Sequence, residues 1–465
     1  MPSVREPEEK RRYMLDTPMP RLIPAMALPT IAGMMVTTAY NLADTFFVSR
    51  LGTYATGAVG INASIDNIIM MAGALMATGA ASYTARLLGA REDRHAKEVF
   101  ATCYYAALAL GVLVLIFGSI FTDPLLRLLG ASDAIMPYSR QYARYILLAA
   151  PFMATNFVLN QCLRAEGSAI YSMIGMVSGA VLNIGLDPIF IFTFGWGVAG
   201  ASAATAISKV VSWIILMAPY FRRKTLLTPN PAFFRPRKGD VVEVCTMGSA
   251  SFFRNGLSTL AALVLNRLAV GFGESALAAI SVANRITMFM TSACLGFGQG
   301  FQPVAGFSWG AGRYDRVRSS YRFSQWTCVL GISVFAGLMA LFARPILLCF
   351  TEDDAELVRI GVTSLRLQCL AMPAHGFCII VNMLCAGIGK GRYAAILGLS
   401  RQGIFFFPIL WPMVRLFGVW GVASVQAVAD IISLGSALPI AVKVLREVDQ
   451  LEAAQSSSLP EAPKV

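Results

Sequence analysis

Hydrophobic runs of about twenty residues or more punctuate this chain, each closed by charges, glycine or proline. Runs of that length suit helices crossing roughly 30 Å of hydrocarbon, whereas barrel strands would be about ten residues long and alternating. Six runs fall near Arg21–Ser49, Thr56–Tyr83, Val99–Phe121, Tyr138–Leu163, Tyr171–Phe194 and Ala199–Tyr220. A polar stretch with Pro229, Pro231 and Pro236 follows, then six more runs near Val241–Val270, Ala276–Trp309, Tyr321–Phe350, Val358–Ala386, Tyr393–Leu416 and Val419–Leu445. The expected architecture is an all-α integral membrane protein of about twelve transmembrane helices. Its expected parts are an N-terminal segment (1–20), an N-lobe (21–220), a linker (221–240), a C-lobe (241–446) and a polar, disordered tail (447–465).

The two halves are copies. Gly52 and Gly273, Gly89 and Gly310, Asp133 and Asp354, and Gly200 and Gly421 all stand 221 residues apart; Pro151 and Pro373, Asn160 and Asn382, and Gly167 and Gly389 stand 222 apart, and Pro188 and Pro408 stand 220 apart. With an even number of spans per repeat the copies run parallel, giving two pseudo-symmetric six-helix lobes that can rock about a site between them.

Composition agrees: of 465 residues, 56% are hydrophobic and only 14% charged. The net charge of +12 would suggest nucleic acid in a soluble protein. Here the bases sit in alternate loops: Arg86, Arg91, Arg94 and Lys97; Arg222, Arg223, Lys224, Arg235, Arg237 and Lys238; Arg313, Arg316 and Arg318. That pattern reads as positive-inside topology with both termini cytoplasmic and no nucleic-acid partner. Glu352, Asp353, Asp354 and Glu356 make one opposite loop acidic. The cysteines show no CxxC pair, and His95, in a basic loop, and His375, inside a span, read as solvated and core histidines.

Polar residues inside the spans carry the chemistry. An aspartate at the bilayer centre costs about 2.5 to 3.5 kcal/mol on insertion scales and marks an ion or substrate path. Asn183 and Asp187 share a helical face at i, i+4, and Pro188 frees the carbonyl of Ile184. Thr37, Tyr40, Asn41 and Asp44 form a stripe on the first span, Asn156 and Asn160 a pair on the fourth, and Ser202, Thr205, Lys209 and Ser212 a face on the sixth. In the C-lobe copy Leu265 stands opposite Asp44, Phe407 opposite Asp187 and Gly403 opposite Asn183, so the acidic site belongs to the N-lobe. Oxygen ligands without His or Cys suit a proton or a hard cation such as Na+. The competing explanation is a structural network in which Lys209 neutralises Asp187 and the amides bind helices together. In the C-lobe, Arg401, Met288, Phe405 and Phe407 are candidates for an adaptable substrate wall.

These features resemble the multidrug and toxic compound extrusion (MATE) family over nearly the whole chain. The resemblance rests on Tyr40-Asn41-Leu42-Ala43-Asp44-Thr45 with Arg50-Leu51-Gly52, on Asn183 to Pro188, on Gly197-Val198-Ala199-Gly200-Ala201, and on Leu88-Gly89-Ala90 with its copy Trp309-Gly310-Ala311. It implies a V-shaped pair of lobes and export coupled to inward Na+ or H+. In the bacterial and archaeal branch with N-lobe carboxylates, the cation-site positions match Asp44, Asn183, Asp187 and Thr205, with Tyr40, Tyr142, Asn156 and Asn160 nearby. The alternative acidic positions of another branch are missing, since 249–267 and 379–390 contain no acid.

The expected function is therefore secondary active export of small amphipathic or cationic compounds by a monomer in the cell membrane, in contact with its lipids. No cofactor is expected beyond the coupling ion, and no enzymatic activity, because nucleophile, metal and cofactor motifs are missing. A flippase for lipids or lipid-linked sugars, holding phosphates with interior arginines, is the alternative.

Overall fold

A computed structural model describes residues 7–348 and 354–457, so Glu352 and Asp353 of the acidic loop lie outside the described residues. The N-terminal half comprises α1 (Pro7–Asp16), α2 (Met19–Ser49), α3 (Thr53–Gly89), α4 (Asp93–Ile120), α5 (Thr122–Leu128), α6 (Met136–Ala165), α7 (Ala169–Pro188) and α8 (Gly197–Phe221). The C-terminal half repeats it as α9 (Lys238–Val270), α10 (Glu274–Gly310), α11 (Tyr314–Leu341), α12 (Ala343–Leu348), α13 (Ala355–Gly387), α14 (Gly391–Leu399), α15 (Phe406–Phe417) and α16 (Val419–Ser457). A π-helical turn, Ile189–Thr193, extends α7, and another, Ser400–Ile404, joins α14 to α15.

Among the described residues, eleven helices are long and apolar enough to cross a membrane. The chain is thus a multi-pass, all-α membrane protein. The remaining long helix, α9, has 33 residues but interrupts its apolar run with Arg254, Asn255, Asn266 and Arg267. The ninth run ends at Leu341 rather than Phe350, because a break separates α11 from the short α12. Gly52 and Gly273, at φ +103° and +106°, open α3 and α10 in a conformation that only glycine adopts cheaply, so the repeat is exact at the turn that starts each lobe's second span.

The described part of the C-terminal tail is helical, and the N-terminal segment is tied to the lobe. Residues 447–457 continue α16 as helix instead of fraying, helped by ion pairs from Lys390 to Glu447 and from Arg318 to Asp449. At the other end α1 is anchored: Lys10 Nζ donates to Glu166 Oε1 at 3.0 Å and to the carbonyl of Lys224 at 2.9 Å. The linker folds back onto α4, where Tyr105 donates to the carbonyl of Pro229 at 2.8 Å.

The apolar core shows how the lobes meet. One cluster draws residues from both lobes, from Leu22 and Leu88 to Phe301 and Leu384. Two others stay within single lobes, one around Ile65, Ile146 and Ile191, the other around Leu265, Phe406 and Val425. The lobes are joined at the end bearing the basic loops and separate at the opposite end, which is the V shape. Along the seam backbone meets backbone: a Cβ on Gly248 would strike the carbonyl of Leu75, and one on Gly310 the carbonyl of Arg86. Thr78 donates to Ser251 at 3.1 Å, and Thr38 and Ser292 share a bond of 3.0 Å.

Charge closes the mouth of the seam. Arg86 Nη2 reaches Glu243 at 2.7 Å, Arg237 reaches the buried Glu98 at 2.7 Å, and Tyr83 donates to Asp240 at 3.1 Å. His95 is not a solvated loop histidine. Its Nε2 lies 3.0 Å from Asp240 and its Nδ1 3.3 Å from Glu92, because the start of α4 faces the start of α9 across the seam.

Candidate functional site

The N-lobe gathers its polar residues where α2, α3, α6, α7 and α8 converge. Pro188 does not snap α7. The missing N–H is absorbed by widening the next turn to π geometry, seen in the bond from Phe194 N to the carbonyl of Ile189 at 2.9 Å. Upstream the helix is regular, so Asn183 and Asp187 do share a face, and both are buried. Asn183 Nδ2 donates to Asp187 Oδ1 at 3.1 Å and to Thr205 Oγ1 of α8 at 3.2 Å. One amide thus joins three of the four residues expected to hold the cation.

Asp44, the fourth, lies close enough to Asp187 for the two carboxylates to feel each other's charge. Tyr142 is buried among them, within electrostatic reach of Asp44, Tyr40 and Asp187. Tyr40 accepts a bond of 2.8 Å from Lys209 Nζ, which also sits 4.9 Å from the centre of its ring. The pairing of Lys209 with Asp187 on which the competing structural explanation depends does not form among the described residues; the ammonium is held by the phenol instead. Asn156 Nδ2 donates to the backbone carbonyl of Lys209 at 2.9 Å.

Two residues of the expected group lie elsewhere. Asn41 is on the exposed side of α2. Asn160 is captured by Arg164 one turn along, and it also accepts from Ser172 Oγ at 2.9 Å, forming a separate buried knot.

The structure adds a carboxylate that the sequence reading passed over. Asp66 of α3 feels the charges of both Asp44 and Lys209. Its signal was present: Asn62 and Asp66 repeat the i, i+4 amide and acid spacing of Asn183 and Asp187. Three carboxylates therefore face one lysine, which can offset only one of them.

Buried oxygens without a hydrogen-bond partner among the described residues sharpen the point. In this part of the N-lobe they include Asp44 Oδ1, Asp66 Oδ1, Asn156 Oδ1, Asn183 Oδ1 and Asp187 Oδ2. A buried acceptor left unsatisfied costs about 1 to 3 kcal/mol, more if charged, so the cluster favours guests that bring positive charge or protons. Among the described residues no three acids, histidines or cysteines stand close enough to form a metal-holding group. A cation here would rely on carboxylate oxygens together with the neutral oxygens of Asn183 and Thr205.

The C-lobe equivalents are apolar. Leu265 is buried in the lobe's own cluster, and Phe407 packs against that cluster. Phe406 meets Phe407 edge to face at 5.4 Å. Met288 is half exposed. Of the four residues expected to form a substrate wall, only Arg401 lines the cavity found in this lobe, a space of about 140 Å³. Arg401 is bound through its Nε to Asp430 Oδ1, and its Nη2 lies 3.3 Å from Oδ2. Asp430 is a second carboxylate missed in the sequence, again one helical turn from an amide, Gln426, which donates to it at 3.1 Å.

Comparison with known proteins places this architecture. The sequence profile described as MatE matches residues 29–189 and 250–411, one block in each lobe. A multidrug export protein, MepA, of Staphylococcus saprophyticus is 29% identical over 92% of this chain and 94% of its own. A solved structure described as an outward-facing conformation of a multidrug resistance MATE family transporter superposes with a TM-score of 0.89 at 28% identity, covering 94% of this chain and 98% of that one. A crystal structure of MATE in complex with MaL6 gives 0.90 at 27% identity, covering 95% and 99%.

Proposed function

The chain belongs to the MatE family, and we propose that it is a secondary active exporter of small amphipathic and cationic compounds, driven by H+ or Na+ entering through the N-lobe site. The similarity to multidrug export proteins supports the substrate class. The observation that carries the mechanism is the imbalance of three carboxylates against one lysine, with partnerless oxygens on Asp44, Asp66, Asn183 and Asp187. An inward-moving cation neutralises the excess, and its release restores it; coupling follows if the two states favour different openings of the lobes.

In this reading Asp44 and Asp187 bind the ion, Asp66 balances Lys209, and Asn183 and Thr205 lend neutral oxygens. Tyr40, Tyr142 and Asn156 hold the surrounding helices in register. The basic loops support a cytoplasmic position for both termini and the closed seam, with the open end of the V facing outward. The protein acts as a monomer, since each chain contains both lobes and the cleft between them.

The test is efflux of a fluorescent organic cation from proteoliposomes, driven first by a pH gradient and then by a Na+ gradient. One gradient alone should drive uphill export, and Asp187→Asn should abolish it. Lipid scrambling without dye export would instead favour the flippase.

A further inference from the structure

The partly open C-lobe cavity, lined by α9, α10, α13, α14, the π-helical turn after it and α16, has no part in the cation mechanism. Its volume of about 140 Å³ approaches the ~150 Å³ of an engineered apolar cavity that admits benzene, but its largely apolar wall also carries charged and hydrogen-bonding side chains. Three charged side chains reach it. Asp430 is committed to Arg401 and to Gln426. Arg254 has no carboxylate partner among the described residues; its side chain makes only a long bond of 3.4 Å to Ser251 Oγ. The two guanidinium groups are near enough to repel each other. His375, only 4% exposed, adds a ring Nε2 without a partner.

Snorkelling does not account for Arg254. It stands midway along α9, sixteen residues from either end, or about 24 Å at ~1.5 Å per residue, far beyond the reach of its side chain. A cation held at that depth, beside a second cation and an unsatisfied ring nitrogen, calls for an anion. Guanidinium matches a carboxylate through paired N–H donors, and a ring-sized acid fits the space.

We propose that this cavity is a binding site for an organic carboxylate, with Arg254 as its principal partner and His375 as an additional polar contact. Arg401 stays with Asp430 and forms the opposite wall. The carboxylate belongs either to an exported zwitterion or to a free organic anion. The first source rests on the export function proposed above; the second does not.

The test uses the full chain in nanodiscs with benzoate as probe and neutral benzamide as control, binding being read by calorimetry. Wild type should bind benzoate at least about tenfold more tightly than benzamide, a range typical of hydrogen bonds to charged groups. Arg254→Gln should erase that difference without shifting the melting temperature, and Arg254→Lys should keep part of it. To separate the sources, export of rhodamine B, which carries a free carboxylate, is compared with export of its ethyl ester. Preference for the acid that Arg254→Gln removes and benzoate inhibits supports the zwitterion; benzoate binding without any such preference supports the free anion. Equal affinity for benzoate and benzamide, or benzoate binding unchanged in Arg254→Gln, overturns the proposal. Failure of wild type to export either dye would count against the export function while leaving the calorimetric result to decide the site.

Discussion

Replacing Gly248 with alanine tests whether the seam holds the lobes in the observed arrangement. The new methyl would be driven against the carbonyl of Leu75, a backbone group of α3 that cannot swing aside as a flexible side chain would. Inserting such a group into a filled interface costs typically 1 to 3 kcal/mol. The strain exists only while α3 and α9 are in contact, so it falls on the closed seam and spares the state in which the lobes part there. At ~1.4 kcal/mol per factor of ten, the ratio of closed to open seam should fall by about 5- to 150-fold. Spin labels at Tyr54 and Phe272, both exposed near the separated end, would report the change in a background lacking native cysteines. The distance distribution in wild type should have one dominant long component, and Gly248→Ala should shift weight to a shorter one as that end closes. Gly239→Ala, where an added methyl meets nothing within 4 Å, is the control. Identical distributions in all three proteins would show that backbone contact at the seam does not set the conformational balance.

Other outcomes follow from the polar groups. Asp187→Asn and Asp66→Asn should each stop gradient-driven uphill export while preserving binding of the organic substrate measured without a gradient; coupled export at the wild-type rate by either variant would remove that residue from the mechanism. Thr205→Ala should weaken the apparent affinity for the coupling ion more than the maximal rate, read from the ion dependence of efflux, because it withdraws one neutral oxygen while both acids remain. Glu166→Gln should destabilise the protein by about 3 to 5 kcal/mol, measured by thermal unfolding in detergent, since it leaves Lys10 buried without its counter-charge and weakens the acceptor for Leu226 N at 2.7 Å.

Hydrophobic runs and the 221-residue repeat were enough to expose the spans, the two lobes and the family, because each depends on patterns many residues long. The candidate site was legible where polarity interrupts a helix conspicuously, as at Asn183 and Asp187. Asp66 escaped because the groups it interacts with, Asp44 and Lys209, are on other helices, and Asp430 because its partner, Arg401, is on another helix. Tyr40 as the acceptor for Lys209, and His95 as a bridge between lobes, are facts of tertiary contact. No spacing rule within one helix contains them. The helical continuation of residues 447–457 is of the same kind, since its ion pairs reach residues far away in sequence.

The division of the apolar core has a consequence for how substitutions combine. Ile69 belongs to a cluster confined to one lobe and Phe406 to a cluster confined to the other, with no shared neighbours. Damage at these two places should add independently, as it does for distant sites. Leu88 and Phe301, by contrast, occupy one cluster that both lobes build. A second cut there falls on contacts already loosened by the first, so the pair should be non-additive. The same molecule would therefore look like two independent units to mutations at its separated end and like a single one to mutations at its joined end.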